Sequence, residues 1–214
     1  MVFSSITNWF KRRRQLARPW QAVRYIALDL ETSGLHPQTD SLLAMAWIEL
    51  KPPLLDYRSA RYYLLGQQDT DLKQSPVVHG LRQQHFADPV DPQQALKELA
   101  GVLNGAVLVC HHVQLDWQFL KAAASRYDIR LRPLALFDTL QFDARRLRKQ
   151  QHHIERGSLT LASCRQRYQL PIYQAHHAFD DAVGCGELFL AQAYHFGGRA
   201  RVSVGEIIRQ TRSA

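Results

Sequence analysis

The sequence has few cysteines and no long apolar run. Its three cysteines, Cys110, Cys164 and Cys185, are far apart and form no CxxC pair, which excludes a disulfide framework and a cysteine-based structural zinc site. No stretch approaches the roughly 20 apolar residues that a membrane-spanning helix needs. No apolar run follows the basic residues near the amino end, so a secretory signal is not expected. These absences favour a protein of the reducing cytoplasm.

Acidic residues are missing from the first part of the chain. Residues 1–28 hold six basic side chains and no acid, and residues 196–214 hold four basic side chains against Glu206. The part between them carries 17 basic and 18 acidic residues, so the net charge of +8 resides in the two ends. We therefore predict a basic N-terminal extension (1–21), a near-neutral central domain (22–195) and a basic C-terminal tail (196–214).

The first 20 residues are typical of a short amphipathic helix that ends at Pro19. Such an arginine-rich segment fits a nucleic-acid-binding arm, a membrane-surface helix or a transit peptide. It fits a solvated or loosely docked helix equally well. The sequence alone does not distinguish these alternatives.

The rest of the 214 residues alternates strand and helix patterns. Apolar runs predict strands over 23–30, 42–50, 58–65 and 106–110. Helical spacing predicts helices over 92–103, 113–127 and 178–195, with the last of these as the final helix. Asp138 and Ser158 are predicted to cap two more helices, which end near Gln150 and Tyr168. This order indicates one α/β domain built on a single sheet.

Four carboxylates lie where a predicted strand ends or a helix begins. Asp29 and Glu31 are two residues apart at the end of the first strand, so both point to one face of the sheet. Asp116 follows the strand 106–110, and Asp181 opens the last helix. Ligands of open α/β sheets gather at the carboxyl ends of strands. Solvation of a strand end explains the first pair equally well, and attraction to a helix N-terminus explains the other two.

As an ordered set, these residues resemble the DEDD superfamily of 3′-to-5′ exonucleases. The set consists of Asp-x-Glu on the first strand, an Asp on a helix after a strand, and His176 with four residues between it and Asp181. That last spacing resembles the histidine subclass, which includes the epsilon proofreading subunit of bacterial DNA polymerase III. The resemblance covers residues 22–194. Supporting matches occur at 28–35, 77–81 and 137–140.

The resemblance implies a ribonuclease-H-like mixed five-stranded sheet flanked by helices, and hydrolysis of nucleic acid from its 3′ end. It makes 22–195 an exonuclease domain. It also implies two Mg²⁺ or Mn²⁺ ions held by carboxylates, because hard divalent ions prefer oxygen ligands and activate water. It assigns His176 as the general base, since an imidazole titrates near neutrality. The implied metal ligands are Asp29, Glu31, Asp116 and Asp181.

By the same resemblance, Thr32 and Leu35 contact the terminal nucleotide through the backbone and an apolar wedge. Leu35 fits a core position beside a turn equally well. His112 occupies the position where the family usually has Asn, and Leu115 the position of an aromatic residue. This departure affects the expected substrate contacts of His112 more than metal binding. His177 would share a helix face with Asp181 only if the last helix began earlier than predicted.

Three functions remain open at this point. The first is a metal-dependent exonuclease acting on single-stranded or frayed DNA, and the second is an enzyme of the same fold acting on RNA or short oligoribonucleotides. The third is a noncatalytic nucleic-acid-binding or polymerase accessory domain. Four mutually repelling carboxylates argue against this third function, because a binding module does not need them.

Three further motifs have ordinary structural explanations. The histidine pairs 111–112, 152–153 and 176–177 are weak zinc candidates, because tightly spaced cysteines are missing. The basic run 145–149 fits either a nucleic-acid path or a solvated helix face. Residues 169–173 faintly resemble a peptide that binds a sliding clamp, although a packed loop explains them better.

Overall fold

The structure is a computed structural model, and it describes residues 2–65, 89–150, 153–171, 173, 177–197 and 201–211, with side chains from residue 9 onward. Two segments precede the sheet, α1 (Val2–Leu16) and a 3₁₀ turn (Trp20–Ala22). The remaining elements are β1 (Tyr25–Thr32), β2 (Leu42–Lys51), β3 (Leu54–Leu64), α2 (Pro92–Leu103), β4 (Val107–Cys110), α3 (Val113–Arg126), β5 (Ala135–Asp138), α4 (Thr139–Gln150), α5 (Leu161–Arg167), α6 (Ala178–Gly197) and α7 (Val204–Arg209).

The five strands form one mixed sheet in the order β3-β2-β1-β4-β5. The central strand β1 pairs antiparallel with β2 on one side and parallel with β4 on the other. β2 and β3 are antiparallel, and β4 and β5 are parallel. The predicted mixed five-stranded sheet flanked by helices is confirmed.

β1 lies two residues later than predicted, and β3 and β5 differ most from what apolar runs predict. β3 begins earlier, at Leu54, because Leu54 and Leu55 pair with Lys51 and Leu50 on the other side of the turn. β5 has only four residues, and the hydrophobic pattern alone does not predict it. A strand this short gives too little alternation to be recognised.

Two helices also differ from prediction. Thr160, rather than Ser158, caps α5, and its Oγ1 accepts a hydrogen bond from Ser163 N at 3.2 Å. α6 is not the last helix, because α7 follows it and is opened by a capping box between Ser203 and Glu206. With six residues, α7 is too short to show a clear helical period.

The alternation of side chains along β1 determines which face carries the acids. Leu28 packs on the face that α2 and α3 cover, whereas Ala27 packs on the face that α6 covers. Asp29 and Glu31 continue the series of Ala27 and therefore point toward α6.

α6 lies unusually close to β1. A Cβ atom at Gly186 would lie 3.2 Å from Ala27 Cβ and 3.3 Å from Leu50 Cδ2. A side chain at Gly186 would therefore push the helix or the strand away. The close approach brings the first turn of α6 over the end of β1.

The segments flanking the predicted central domain run side by side. Trp20 N donates to Val202 O at 3.0 Å, and Val204 N donates to Arg18 O at 3.0 Å. Trp20 and Ile207 are buried in the core between the sheet and α6. The described parts of the predicted extension and tail thus contribute to this core, and the predicted domain bounds stay a prediction.

α1 confirms the helix that is predicted before Pro19. Its Arg12 Nε donates to Leu134 O at 3.0 Å, and Leu16 packs against the core, so the second half of the helix is docked. Among the described residues, no helix is both long and apolar enough to cross a membrane.

Candidate active site

Three carboxylates meet at the carboxyl end of β1. Asp29 and Glu31 project from the strand, and Asp181 projects from the first turn of α6. One ligand oxygen from each lies within 4.8 Å of the other two. Glu31 is buried, while the other two are half-buried. Within the described ranges, no other group of three or more His, Cys, Asp or Glu side chains is placed to hold a metal ion.

Asp116 lies beside this group without belonging to it. It is on the first turn of α3, directly after β4. Its negative charge helps to raise the pKa of Asp29, so the two carboxylates share one local environment. Burial raises the pKa of Asp116, and a hydrogen bond from the Cys110 side chain partly opposes this effect. The structure therefore brings all four predicted ligands to one edge of the sheet, with three of them in direct proximity.

Burial and repulsion oppose the simultaneous ionisation of these acids. Burial raises the pKa of Asp29 well above its usual value, and the charges of Asp116, Asp181 and Glu31 raise it further. Burial and the charge of Asp181 raise the pKa of Glu31 to about 7. Burial and the charge of Asp138 raise the pKa of Asp116 to about 8. A bound cation would offset the repulsion. The donor set therefore fits a hard divalent ion, for which carboxylates are the preferred side-chain ligands.

The structure describes only one of the two adjacent histidines, His177. His176, the predicted base, lies outside the described residues. His177 directly precedes α6, and its carbonyl oxygen accepts the first helical hydrogen bond, from Asp181 N at 3.0 Å. Its ring stacks on Tyr62 with a centroid separation of 5.2 Å, and its Nδ1 lies 3.7 Å from Asp180 Oδ2. The helix therefore does not begin early enough to place His177 on the same helix face as Asp181.

The turn after β1 exposes the predicted apolar wedge. Leu35 is 70% exposed, so the alternative of a core position is wrong. Thr32 Oγ1 donates to Gly34 O at 2.6 Å, and His36 N donates to Asp40 Oδ2 at 2.7 Å. These bonds fix the turn that follows β1, and the turn presents Leu35 to solvent.

His112 occupies an unusual backbone position at the start of α3. Its φ is 86°, in the left-handed region, and its side chain is exposed. Outside glycine, Asn, Asp and His enter this region most readily, so His112 satisfies the backbone requirement of the position. Its N–H donates to Asp138 Oδ1 at 3.3 Å, and Gln141 N donates to the same oxygen at 3.0 Å. Asp138 thus caps α4 as predicted.

Sequence reasoning missed Tyr62. In the sheet register, Asp29 lies opposite Ala46, and Ala46 lies opposite Tyr62, so the three side chains share one face. Burial and the charge of Glu31 raise the pKa of the Tyr62 phenol. Tyr62 therefore borders the acidic group and supports His177. Only the register of β3 places it there, and no local motif signals that register.

The remaining sequence candidates have structural partners. His111 uses both ring nitrogens, with Nδ1 2.8 Å from Thr139 Oγ1 and Nε2 2.8 Å from Leu159 O, so it is not free to bind zinc. Pro171 O accepts two hydrogen bonds from Arg165, at 3.1 and 2.6 Å. The described part of the segment that resembles a clamp peptide is therefore packed against α5.

The described residues form an α/β domain with a group of acids at the carboxyl end of its central strand. A family model described as an exonuclease, RNase T, matches residues 26–189, and the chain belongs to this exonuclease family. The resemblance to the DEDD exonucleases is thereby confirmed, and so is the expectation of an enzyme.

The relatives of the chain include DNA polymerases and ribonucleases. It is 24% identical over 168 residues to the PolC-type DNA polymerase III of Thermotoga petrophila, which covers 78% of this chain and 12% of the polymerase. It is 30% identical over 138 residues to ribonuclease T of Escherichia coli K12, which covers 53% of this chain and 61% of that protein. The chain thus spans only a small part of the polymerases that it matches.

Solved structures share the fold at low identity. Escherichia coli exonuclease I in complex with a dA16 oligonucleotide gives a TM-score of 0.68 at 13% identity, covering 81% of this chain and 41% of that one. Exonuclease X in complex with 5′ overhanging duplex DNA gives 0.62 at 16% identity, covering 89% and 99%. These likenesses confirm the ribonuclease-H-like fold.

Proposed function

We propose that this chain is a 3′-to-5′ exonuclease that depends on divalent metal ions. It removes nucleoside 5′-monophosphates from the 3′ end of single-stranded or frayed DNA. The observation that carries the proposal is the approach of Asp29, Glu31 and Asp181 to within 4.8 Å, in a chain of an exonuclease family. Buried acids that repel each other weaken a fold, so a purely structural or binding role does not account for them.

We assign the metal ligands to Asp29, Glu31, Asp116 and Asp181, and the ions to two Mg²⁺ or Mn²⁺ as the family resemblance implies. When bound, such ions lower the pKa of water and neutralise charge that develops on the phosphate. The chain supplies carboxylates at fixed positions, because β1 lies at the centre of the sheet and α6 packs tightly on it. These carboxylates must be ionised to bind cations, so their raised pKa values oppose binding at low pH.

His176 is proposed to take the proton from the attacking water. The resemblance assigns this role to a histidine that precedes the helix carrying the last metal ligand. The start of α6 at Ala178 supports the assignment, because His176 comes before this helix in the sequence. Leu35 is proposed to pack against the terminal nucleotide, and its exposure supports this role. Thr32 and His112 are proposed to position the substrate from the two strand ends.

The relatives leave a second candidate, an enzyme that acts on RNA. Ribonuclease T of Buchnera aphidicola is 27% identical over 158 residues, and this match covers 65% of the chain and 70% of that protein. The match thus spans 70% of that ribonuclease, against 12% of the Thermotoga petrophila polymerase. The DNA proposal draws support from the polymerase matches and from the DNA-bound structural neighbours.

One assay separates these functions. The purified chain is incubated with 12-nucleotide DNA and RNA of matched sequence, each labelled at the 5′ end, with Mg²⁺, Mn²⁺ or EDTA. We expect a ladder that shortens from the 3′ end, mononucleotide products and no cleavage in EDTA. A control oligonucleotide with a blocked 3′ end should stay intact. Faster cleavage of RNA would select the second candidate, and binding without cleavage would select a noncatalytic domain.

We further propose that the chain works in the cytoplasm. All three cysteines are buried and unpaired, which is the state expected in a reducing compartment. Contact with a polymerase or a sliding clamp stays a prediction of the sequence.

A further inference from the structure

The two basic ends of the sequence meet at one groove. The groove has a volume of about 750 Å³ and lies beside β5, the edge strand of the sheet. Arg12 and Arg13 of α1 line one part of it, and Arg209 near the other end of the chain lines another. The pairing of the segments before the 3₁₀ turn and before α7 brings these arginines together.

The lining of this groove is positively charged. Arg13 and Arg209 are exposed, and neither takes part in any of the ion pairs between described residues. The acid in the lining is Asp138, which is 2% exposed and accepts two backbone hydrogen bonds. Val113 and Gln114 add the start of α3, where helix N–H groups favour anions.

The groove begins beside the acidic group. Gln114 lines it, and Asp116 lies two residues further along the first turn of α3. Asp138, which also lines the groove, accepts a hydrogen bond from His112 N at 3.3 Å, so the groove reaches the turn that leads into α3 and Asp116. A strand whose 3′ end lies at the acids would therefore pass the groove with the nucleotides that precede the end.

Exposed aromatic rings accompany the arginines on α1. Trp9 is 53% exposed and Phe10 is 60% exposed. The Arg13 guanidinium lies 5.3 Å from the centre of the Trp9 ring. Single-stranded nucleic acid binds surfaces that combine basic groups with stacking platforms, whereas an acidic peptide has no bases to stack.

We propose that this groove binds the phosphate backbone of the substrate strand upstream of its 3′ end. This inference rests on the proposed function and adds to it a second contact region, built from the two basic ends. The groove would then set the affinity for longer strands, while the acids carry out the cleavage.

The test compares two double variants of equal charge. R13Q/R209Q removes two arginines of the groove, and R14Q/R201Q removes two exposed arginines from neighbouring positions outside it. Each is assayed on a 12-nucleotide DNA and on the p-nitrophenyl ester of thymidine 5′-monophosphate, which has no upstream phosphates. Thermal melts establish that both variants are folded.

For R13Q/R209Q we expect KM for the 12-mer to rise about tenfold, with kcat unchanged and cleavage of the ester unchanged. The slope of log KM against log salt should become shallower by about 1.4, because each contact to a single-strand phosphate contributes about 0.7. R14Q/R201Q should change these values much less, and R13K/R209K should restore most of the affinity.

Equal effects of the two double variants would overturn the proposal, since they would show diffuse attraction rather than a groove. An equal loss on the ester would also overturn it, because the ester does not reach the groove. If the wild-type chain cleaves neither substrate, the proposed function fails. Fluorescence anisotropy with a labelled 12-mer in EDTA then decides the groove separately, by the same ranking of the variants.

Discussion

Asp143 and Glu31 are both buried acids, and their surroundings are opposite. Asp143 is 1% exposed, and its Oδ2 accepts a hydrogen bond from Arg167 Nη1 at 2.7 Å. Its Oδ1 accepts hydrogen bonds from Tyr168 Oη at 2.9 Å and Gln192 Nε2 at 3.1 Å. Glu31 is 5% exposed, but carboxylate oxygens of Asp29 and Asp181 lie within 4.8 Å of its own, and burial and the charge of Asp181 raise its pKa to about 7.

The difference shows how a structural acid is distinguished from a functional one. A buried carboxylate among donors stabilises the fold as long as all partners remain. A buried carboxylate among carboxylates destabilises the fold unless it is protonated or a cation binds. Burial alone is therefore uninformative, and the charge of the neighbours indicates the role. Four predictions test this contrast.

The largest effect is expected at the acidic group. Changing any one of the four proposed metal ligands, which are the three acids of this group and the neighbouring Asp116, to Ala should lower turnover about 10³-fold or more, because bound ions contribute several kcal/mol to the transition state. Stability in EDTA should hold or rise, since repulsion is relieved. Initial rates and thermal melts measure both. Asp180→Asn, next to Asp181 on α6, is the matched control and should keep activity. Undiminished cleavage would remove a residue from the metal site. The four residues are Asp29, Glu31, Asp116 and Asp181.

The second effect concerns the two histidines. His176→Ala should lower kcat by about 10² to 10⁴, the usual contribution of a positioned base. His177→Ala should cost much less, because His177 contacts Tyr62 and Asp180. Mg²⁺ binding, followed by calorimetry, should persist in both variants. The reverse ranking would make His177 the base and reject the assignment from the family spacing.

The third effect reverses the first, with stability lost and activity kept. Asp143→Ala leaves Arg167 without its buried partner and should lower the free energy of unfolding by about 3 kcal/mol. Denaturant titration measures this loss. At low temperature, the rate per folded molecule should be unchanged. Asp56→Ala, which breaks the exposed pair with Arg58, should cost less than about 1 kcal/mol. A loss of activity without a loss of stability would place Asp143 in the active site.

The smallest effect is a dependence of stability on pH in EDTA. Glu31 and Asp116 have pKa values raised to about 7 and about 8, so the folded state binds protons that the unfolded state releases. Their contribution is complete below the unfolded pKa, near 4, and is lost as pH rises through the folded values.

We therefore expect the free energy of unfolding to fall between pH 5.5 and 8.5, with Glu31 contributing about 2 kcal/mol of the fall. Glu31→Gln should flatten this slope, and saturating Mg²⁺ should remove it. Denaturant titrations at several pH values provide the measurement. A slope that Glu31→Gln leaves unchanged would show that other groups cause it.

The sequence predicts the local part of the site well. Asp29 and Glu31 share a face because strand side chains alternate with a period of two, and this period does not depend on the rest of the fold. The position of Asp181 on the first turn of α6 also agrees with a local pattern. The helix α5, which is capped by Thr160 rather than Ser158, shows the limit, because both residues are good caps and only the preceding turn selects one.

Local sequence patterns do not reveal which distant segments of the chain pair with each other. Tyr62 reaches the acids through the register of two strand pairs, and its own segment carries no sign of that register. The groove needs contacts between residues near 20 and residues near 203, which are separated by nearly the whole described chain. Neither feature follows from apolar periodicity, because periodicity predicts elements and not their partners.

The close packing of α6 on β1 at Gly186 has a consequence for the size of the ion that the acids would bind. An added Cβ at this position would lie 3.2 Å from Ala27 Cβ, and relieving that contact requires a shift of a few tenths of an ångström. Mg²⁺ binds oxygen at about 2.0–2.1 Å and Ca²⁺ at about 2.3–2.6 Å, so their difference is of the same size. Asp181 is on the same helix, five residues earlier, and moves with it. We therefore expect Gly186→Ala, which adds a side chain that touches no ligand, to change the relative affinities for Mg²⁺ and Ca²⁺.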